Sequence, residues 1–341
     1  MSDHTAEKAY LRDPDAGPGK LRLLGRFGMG VAAFFLTAIV AGTAGHFVEK
    51  DLREAVTRCT WLLLSLWAYK LIGRTVDKQA EPLAELGLVK RATALQEWAL
   101  GAALGWGLLV VAVLPMALCG MMMPEFWLSG RAWWLFALNL VTLAAGALVE
   151  ELGFRGYPFQ RLMDAVGPVW ATVILSVIFG LVHLHNPDAT AASTLCTILA
   201  GVLLTVAYLR TRALWLCWGL HFAWNLTQGA LLGLPVSGTT MFSTVVQTRT
   251  SGPIWLTGGA YGPEASYWTL AVLLAGIVVL VKVTEDYAWE YGHKPIVAGG
   301  YPMDAPPPPE HEAMEQAAKP KPLVQIAPAQ GPGVNPPGRV E

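Results

Sequence analysis

Charge is scarce in this chain. Asp, Glu, Lys and Arg make up 14% of its 341 residues, and 54% are hydrophobic, whereas soluble domains carry about 25% charge. With a mean hydropathy of +0.43, an ordinary soluble domain is excluded. The formal net charge of −1 and the lack of a basic stripe give no footing for nucleic-acid binding. Cysteine is also sparse. Cys59, Cys119, Cys196 and Cys217 are scattered in or beside apolar stretches, with no CxxC, so neither a disulfide framework nor a thiolate zinc site is expected. There is no HExxH, the helical signature of many zinc peptidases. No short apolar region with an AxA-like cleavage site follows the polar residues 1–26, so no signal peptide is expected. The C-terminus carries no lipidation motif, so the protein itself is not expected to be prenylated.

Long apolar runs are present instead. The pattern predicts an all-α fold, a polytopic membrane helix bundle of about eight transmembrane helices. They cover roughly 27–48, 56–73, 97–119, 132–156, 168–185, 191–209, 213–234 and 267–284. Basic residues favour an N-in/C-in orientation by the positive-inside rule. Lys8, Arg12, Lys20, Arg22, Arg26, Arg74, Lys78, Lys90, Arg91, Arg155, Arg161, Arg210 and Arg212 fall on one side, against Lys50, Arg53, Arg58, Arg131 and Arg249 on the other. Three regions follow: a cytoplasmic N-terminal segment 1–26, a transmembrane helical domain 27–292 and a Pro-rich disordered tail 293–341. The tail is either a bland solvated segment or a site for a partner. Residues 76–96 are expected to lie at the interface as an amphipathic piece. The Gly-rich loop 235–266 reads as an extracytoplasmic connection or a lid. The expected location is an integral, multi-pass membrane position, with lipid as a constant partner.

The run that begins near Ala132 ends in Glu150-Glu151-Leu152-Gly153-Phe154-Arg155. A charge at the centre of a membrane helix costs about 2.5–3.5 kcal/mol on an insertion scale, so such residues face a protein interior and have partners. Glu151 and Arg155 are four apart with the acid first, the better order for a helical ion pair. Glu150 points roughly 100° away. It has no partner in its own helix and is a candidate general base.

Two further runs carry polar residues that lipid would not accept. One ends in Phe179-Gly180-Leu181-Val182-His183, and the other reads Gly219-Leu220-His221-Phe222-Ala223-Trp224-Asn225. His221 and Asn225 share a helix face. A lone histidine in such a run is usually a satisfied core residue. Four polar residues in three runs are most cheaply accommodated in one interior cavity. Counting the rise from the inner ends, Glu150 lies about 9 Å deep, His221 about 14 Å and His183 about 22 Å. Two depths agree, and the third requires tilt, a later helix start or a longer fourth span.

Glu150-Glu151-x-x-x-Arg155, Phe179-x-x-x-His183 and His221-x-x-x-Asn225 together resemble the three-motif signature of the CAAX protease and bacteriocin-processing (CPBP) family of intramembrane proteases. The resemblance covers about residues 97–234, and the loop to 266 resembles prokaryotic members. It implies an intramembrane endopeptidase whose substrate is a membrane-associated peptide or protein, lipidated or not. In that reading Glu150 activates water and returns the proton to the leaving amine. His183 holds the same water, and His221 and Asn225 present donors to the oxyanion. Glu151 and Arg155 form a structural ion pair. The cavity is expected to open toward the cytoplasm. No cofactor is favoured; zinc held by Glu150, His183 and His221 is the second version. The rival readings are a non-catalytic membrane scaffold or immunity protein and a proton-coupled transporter. The latter would show broken helices in two matching halves, which the sequence lacks.

Overall fold

A computed structural model describes residues 19–285. The first 18 residues, including Lys8 and Arg12, and the Pro-rich tail 293–341 lie outside the described residues.

The described chain is mostly helical. Its helices are α1 (Lys20–Gly45), α2 (Arg53–Thr75), α3 (Pro82–Glu85), α4 (Ala94–Leu118), α5 (Gly130–Phe154), α6 (Tyr157–Val166), α7 (Pro168–Val182), α8 (Ala191–Thr211), α9 (Leu214–Asn225), α10 (Ile254–Thr257) and α11 (Tyr267–Val283). Every expected span coincides with a helix. Five helical stretches are long and apolar enough to cross a membrane: Lys20–Gly45, Ala94–Leu118, Gly130–Val166, Pro168–His185 and Ala191–Thr211. The other three fall short for visible reasons. α2 carries Arg53, Glu54, Arg58, Lys70 and Arg74. α9 has only 12 α-helical residues before it widens into a π-helical turn, Leu226–Leu231. α11 has 17 residues.

The fold departs from a purely helical one in a two-stranded antiparallel ribbon. β1 (Met122–Phe126) pairs with β2 (Val246–Thr250), with Pro124 opposite Thr248. Helical periodicity does not reveal such a ribbon, because each strand is five residues long and its partner lies more than a hundred residues away. The Gly-rich loop therefore has structure of its own, namely β2, α10 and two 3₁₀ turns. It is tied to the bundle where Asn139 Nδ2 donates to the carbonyl of Phe242 at 3.2 Å. Residues 76–96 do not form an amphipathic helix. They contain the single turn α3, with Pro82 and Leu86 buried, and their last three residues begin α4.

Local signals set the helix ends that matter for the site. Ser129 Oγ accepts the Ala132 N–H at 3.1 Å and starts α5. α5 stops at Phe154, Gly156 precedes α6, and Pro158 stands in the first turn of α6, where its missing N–H costs nothing. Together α5 and α6 make a helical stretch of 37 residues, apolar over α5 and amphipathic over α6. The fourth span is thus longer than expected. Thr190 and Ser193 form a reciprocal capping box that starts α8.

α9 is held against α4 by close backbone packing. A Cβ on Gly101 would stand 2.1 Å from the Leu216 carbonyl oxygen, one on Gly105 2.1 Å from that of Leu220, and one on Gly219 2.1 Å from that of Trp98. Gly101 and Gly105 form a small-xxx-small pair, the spacing that lets membrane helices approach closely. Leu220 immediately precedes His221, so this contact sets where that imidazole stands.

Candidate active site

Glu151 and Arg155 lie at the centre of the bundle, 0% and 1% exposed in their side chains. The ion pair that their spacing predicts is present: Arg155 Nη1 donates to Glu151 Oε1 at 3.2 Å. Arg155 also donates from Nη2 to the Gly201 carbonyl at 2.9 Å and from Nε to Thr205 Oγ1 at 3.4 Å. Its guanidinium lies 4.9 Å from the centre of the Phe179 ring. The pair thus ties the end of α5 to α8 and α7.

Glu151 has a second partner that helical spacing does not reveal. His221 Nδ1 lies 2.7 Å from Glu151 Oε1. An anionic carboxylate can only accept, so Nδ1 carries the proton, and Nε2 is the nitrogen left for chemistry. That Nε2 faces Glu150 Oε2 at 3.9 Å. Glu150 is not isolated: Arg58 Nη1 of α2 lies 3.6 Å from its Oε1. The one-turn spacing within α5 gave Glu150 no partner, and the cation comes from a different helix.

His183 stands just past the end of α7, in a 3₁₀ turn rather than on the helix proper. Its Nδ1 lies 2.7 Å from the Phe179 carbonyl oxygen. A carbonyl also only accepts, so the same tautomer follows, with Nε2 left for a ligand. The Phe179 ring lies against both imidazoles, 4.6 Å from that of His183 and 6.4 Å from that of His221.

Glu150, His183, His221 and Asn225 all line one cavity of about 380 Å³. Residues that were not singled out from the sequence line it as well. Arg58 is one, and Glu264 is another. Glu264 Oε1 accepts the Trp224 indole N–H at 3.2 Å, and Oε2 accepts the Ser237 N–H at 2.5 Å and its hydroxyl at 2.9 Å. Burial pushes the Glu264 carboxyl above the ordinary carboxylate range, with the Ser237 bonds acting against that rise. Burial likewise pushes the neighbouring Tyr261 phenol up to about 12. The sequence signal for Glu264 was a carboxylate in a glycine-rich loop with no basic residue nearby in the chain.

Among the described residues no three His, Cys, Asp or Glu side chains converge as a ligand group. His221 Nδ1 is committed to Glu151, and its Nε2 stands 3.9 Å from Glu150. As they stand, Glu150, His183 and His221 do not make a three-ligand site.

Apolar helices enclosing a buried ion pair and a cavity lined by ionisable side chains are the features of an integral membrane protein with an internal polar cavity. Residues 131–227 match the family model described as Type II CAAX prenyl endopeptidase Rce1-like, and over that stretch the chain is similar to that family. This stretch contains all three motifs. No curated protein and no solved structure matches the chain.

Proposed function

We propose that the protein is an intramembrane endopeptidase that hydrolyses a peptide bond near a membrane-associated substrate, with Glu150 as the base. The observation that carries this reading is the lining of one cavity by Glu150, His183, His221 and Asn225, four residues from three separate runs. Peptide hydrolysis needs an activated water and a stabilised oxyanion. Glu150 takes a proton from water and later returns it to the leaving amine. His183, with Nε2 left over by its Phe179 bond, holds that water. Asn225 donates its amide N–H to the developing oxyanion, and His221, whose Nδ1–H is held by the Glu151 anion, joins it from Nε2 when a second proton makes it the imidazolium. Glu151 is a positioning residue: it fixes the tautomer and the direction of His221, as a buried acid does for a catalytic histidine elsewhere. Arg155 holds Glu151 in turn.

One point of the expected division of labour changes. Glu151 and Arg155 do not stand apart from the site, because Glu151 is bonded to His221. Prenylated substrates belong to the description of the matched family. For this chain they are one arm of the test. Purified protein is incubated in detergent with lipidated and unlipidated C-terminal peptides, and the products are identified by mass spectrometry. Cleavage by the wild type that Glu150→Gln lacks supports the peptidase. Cleavage of the lipidated set alone assigns the lipid a role in binding. Equal cleavage by Glu150→Gln removes Glu150 as the base. Absence of cleavage by a folded wild type across both sets counts for a non-catalytic scaffold.

A further inference from the structure

Two sets of contacts define opposite ends of the bundle. At one end, Arg26 pairs with Asp77 at 3.0 Å, the Gln160 amide donates to the Glu85 carbonyl at 2.6 Å, and the Leu214 N–H donates to the Gly87 carbonyl at 2.9 Å. At the other end lie the β1–β2 ribbon, the Arg131–Asp51 pair at 2.7 Å and the Gly238 N–H bond to the Tyr261 carbonyl at 2.9 Å. The start of α1 and the end of α11 are at the first end, where Arg210 Nε donates to Thr284 Oγ1 at 2.9 Å.

The basic residues divide unequally between these ends. Lys20, Arg22, Arg26, Arg74, Lys78, Lys90, Arg91, Arg161, Arg210, Arg212 and Lys282 are at the first end or within a turn or two of it. Lys50, Arg53, Arg58, Arg131 and Arg249 are toward the ribbon. Among the described residues, the positive-inside rule therefore puts the ribbon end outside.

The cavity belongs to the ribbon end. Asn186, Ser237, Thr239 and Glu264 line it, and all four come from connections at that end. Toward the middle of the bundle its lining includes the buried side chains of Leu203 and Leu204. Phe35 of α1 and Val182 of α7 line it while remaining 45% and 41% exposed, so its flank reaches the lipid-facing surface.

We infer that the cavity is entered from the extracytoplasmic side and from the adjoining lipid, and that its substrate is a membrane-anchored polypeptide whose cut segment lies on that side. The choice of substrate rests on the peptidase reading. The side of entry does not. It reverses the cytoplasmic opening expected from the sequence, because an N-in chain with this fold turns the ribbon end outward.

The test reads accessibility and requires no cleavage. A version with its four cysteines replaced carries a single new one, at Thr239→Cys in the cavity lining or at Ala80→Cys, which is exposed near the opposite end. Each is expressed in the inner membrane of bacterial cells, which are converted to spheroplasts and treated with a membrane-impermeant maleimide. The expected result is labelling of Thr239→Cys in intact spheroplasts and of Ala80→Cys only after permeabilisation, with at least a tenfold difference. The opposite pattern overturns the inference. The native chain supplies a second reading that needs no replacement, since Cys119 is exposed beside β1. Labelling of Cys119 in intact spheroplasts, located by peptide mapping, supports the ribbon end being outside, and labelling only after permeabilisation contradicts it. A chain labelled as expected that cleaves nothing would retain the orientation and lose the peptidase.

Discussion

Glu151 Oε1 accepts a hydrogen bond from His221 Nδ1 at 2.7 Å while the same oxygen accepts from Arg155 Nη1 at 3.2 Å. One carboxylate oxygen therefore couples the end of α5 to α9 and, through Arg155, to α8. The pair that helps to hold the fold is also the pair that aims the imidazole.

Glu151→Gln should accordingly damage both stability and activity. Breaking a buried ion pair costs about 3–5 kcal/mol, because the surviving charge is left uncompensated. Replacing both partners, Glu151→Leu with Arg155→Met, should recover much of that loss, since a packed apolar pair of similar volume is often neutral or better. Activity should not recover, as His221 still lacks its acceptor. Thermal unfolding in detergent beside a cleavage assay separates the two effects. A double variant that regains cleavage would show that Glu151 does not orient His221.

The contact between α4 and α9 gives a prediction at a distance from the chemistry. In Gly105→Val, the added Cβ would meet a backbone oxygen, Leu220 O, at 2.1 Å. Backbone cannot yield as a flexible side chain can, so the helices must separate, at a cost of about 1–3 kcal/mol or more. His221 moves with Leu220 and cleavage falls. Gly107→Val is the control on the same helix, because nothing lies within 4 Å of its added Cβ. Equal melting temperatures and rates for the two variants would count against this packing.

Arg58 approaches Glu150 at 3.6 Å, with side chains 31% and 22% exposed. Such a partly solvated pair contributes at most about 1 kcal/mol, roughly fivefold in rate. Arg58→Gln should lower kcat/KM by about that factor, and Arg58→Lys should keep most of the activity. A complete loss in both variants would point to direct contact with substrate.

Glu264 gives a pH prediction. Its folded carboxyl is raised above the ordinary value of 4.5 by burial. A carboxyl raised by folding holds its proton more tightly in the native state. Its charged form lowers stability fully above the raised value, and that penalty disappears as pH falls toward 4.5. The wild type should therefore gain melting temperature relative to Glu264→Gln as the pH is lowered through that window. A difference that does not change with pH would remove Glu264 as the cause.

Much of this was legible in the sequence, and the parts that were not share a physical cause. The apolar runs gave the positions of the helices, and a spacing of four gave the Glu151–Arg155 pair. Helical spacing carries no information on contacts between helices. It therefore gave neither the Arg58–Glu150 approach, nor the bond from His221 to Glu151, nor the α4–α9 packing at Gly101 and Gly105. The ribbon was missed because its strands are short and far apart in the chain. Counting helix rise from Gly156 put Glu150 and His183 at different depths, whereas the helical stretch continues to Val166.

The central claim is that Glu150, rather than its neighbour, is the base. The most direct measurement is single-turnover cleavage of one confirmed substrate by wild type, Glu150→Gln and Glu150→Asp, each with and without a chelator, and with the melting temperature of each variant recorded. The account predicts that Glu150→Gln melts like the wild type and cleaves at least about 10²-fold more slowly, the usual scale for loss of a general base. It also predicts that the chelator leaves the wild-type rate unchanged. A Glu150→Gln variant that cleaves at the wild-type rate would contradict it, and a chelator-dependent rate restored by zinc would move the chemistry to a metal.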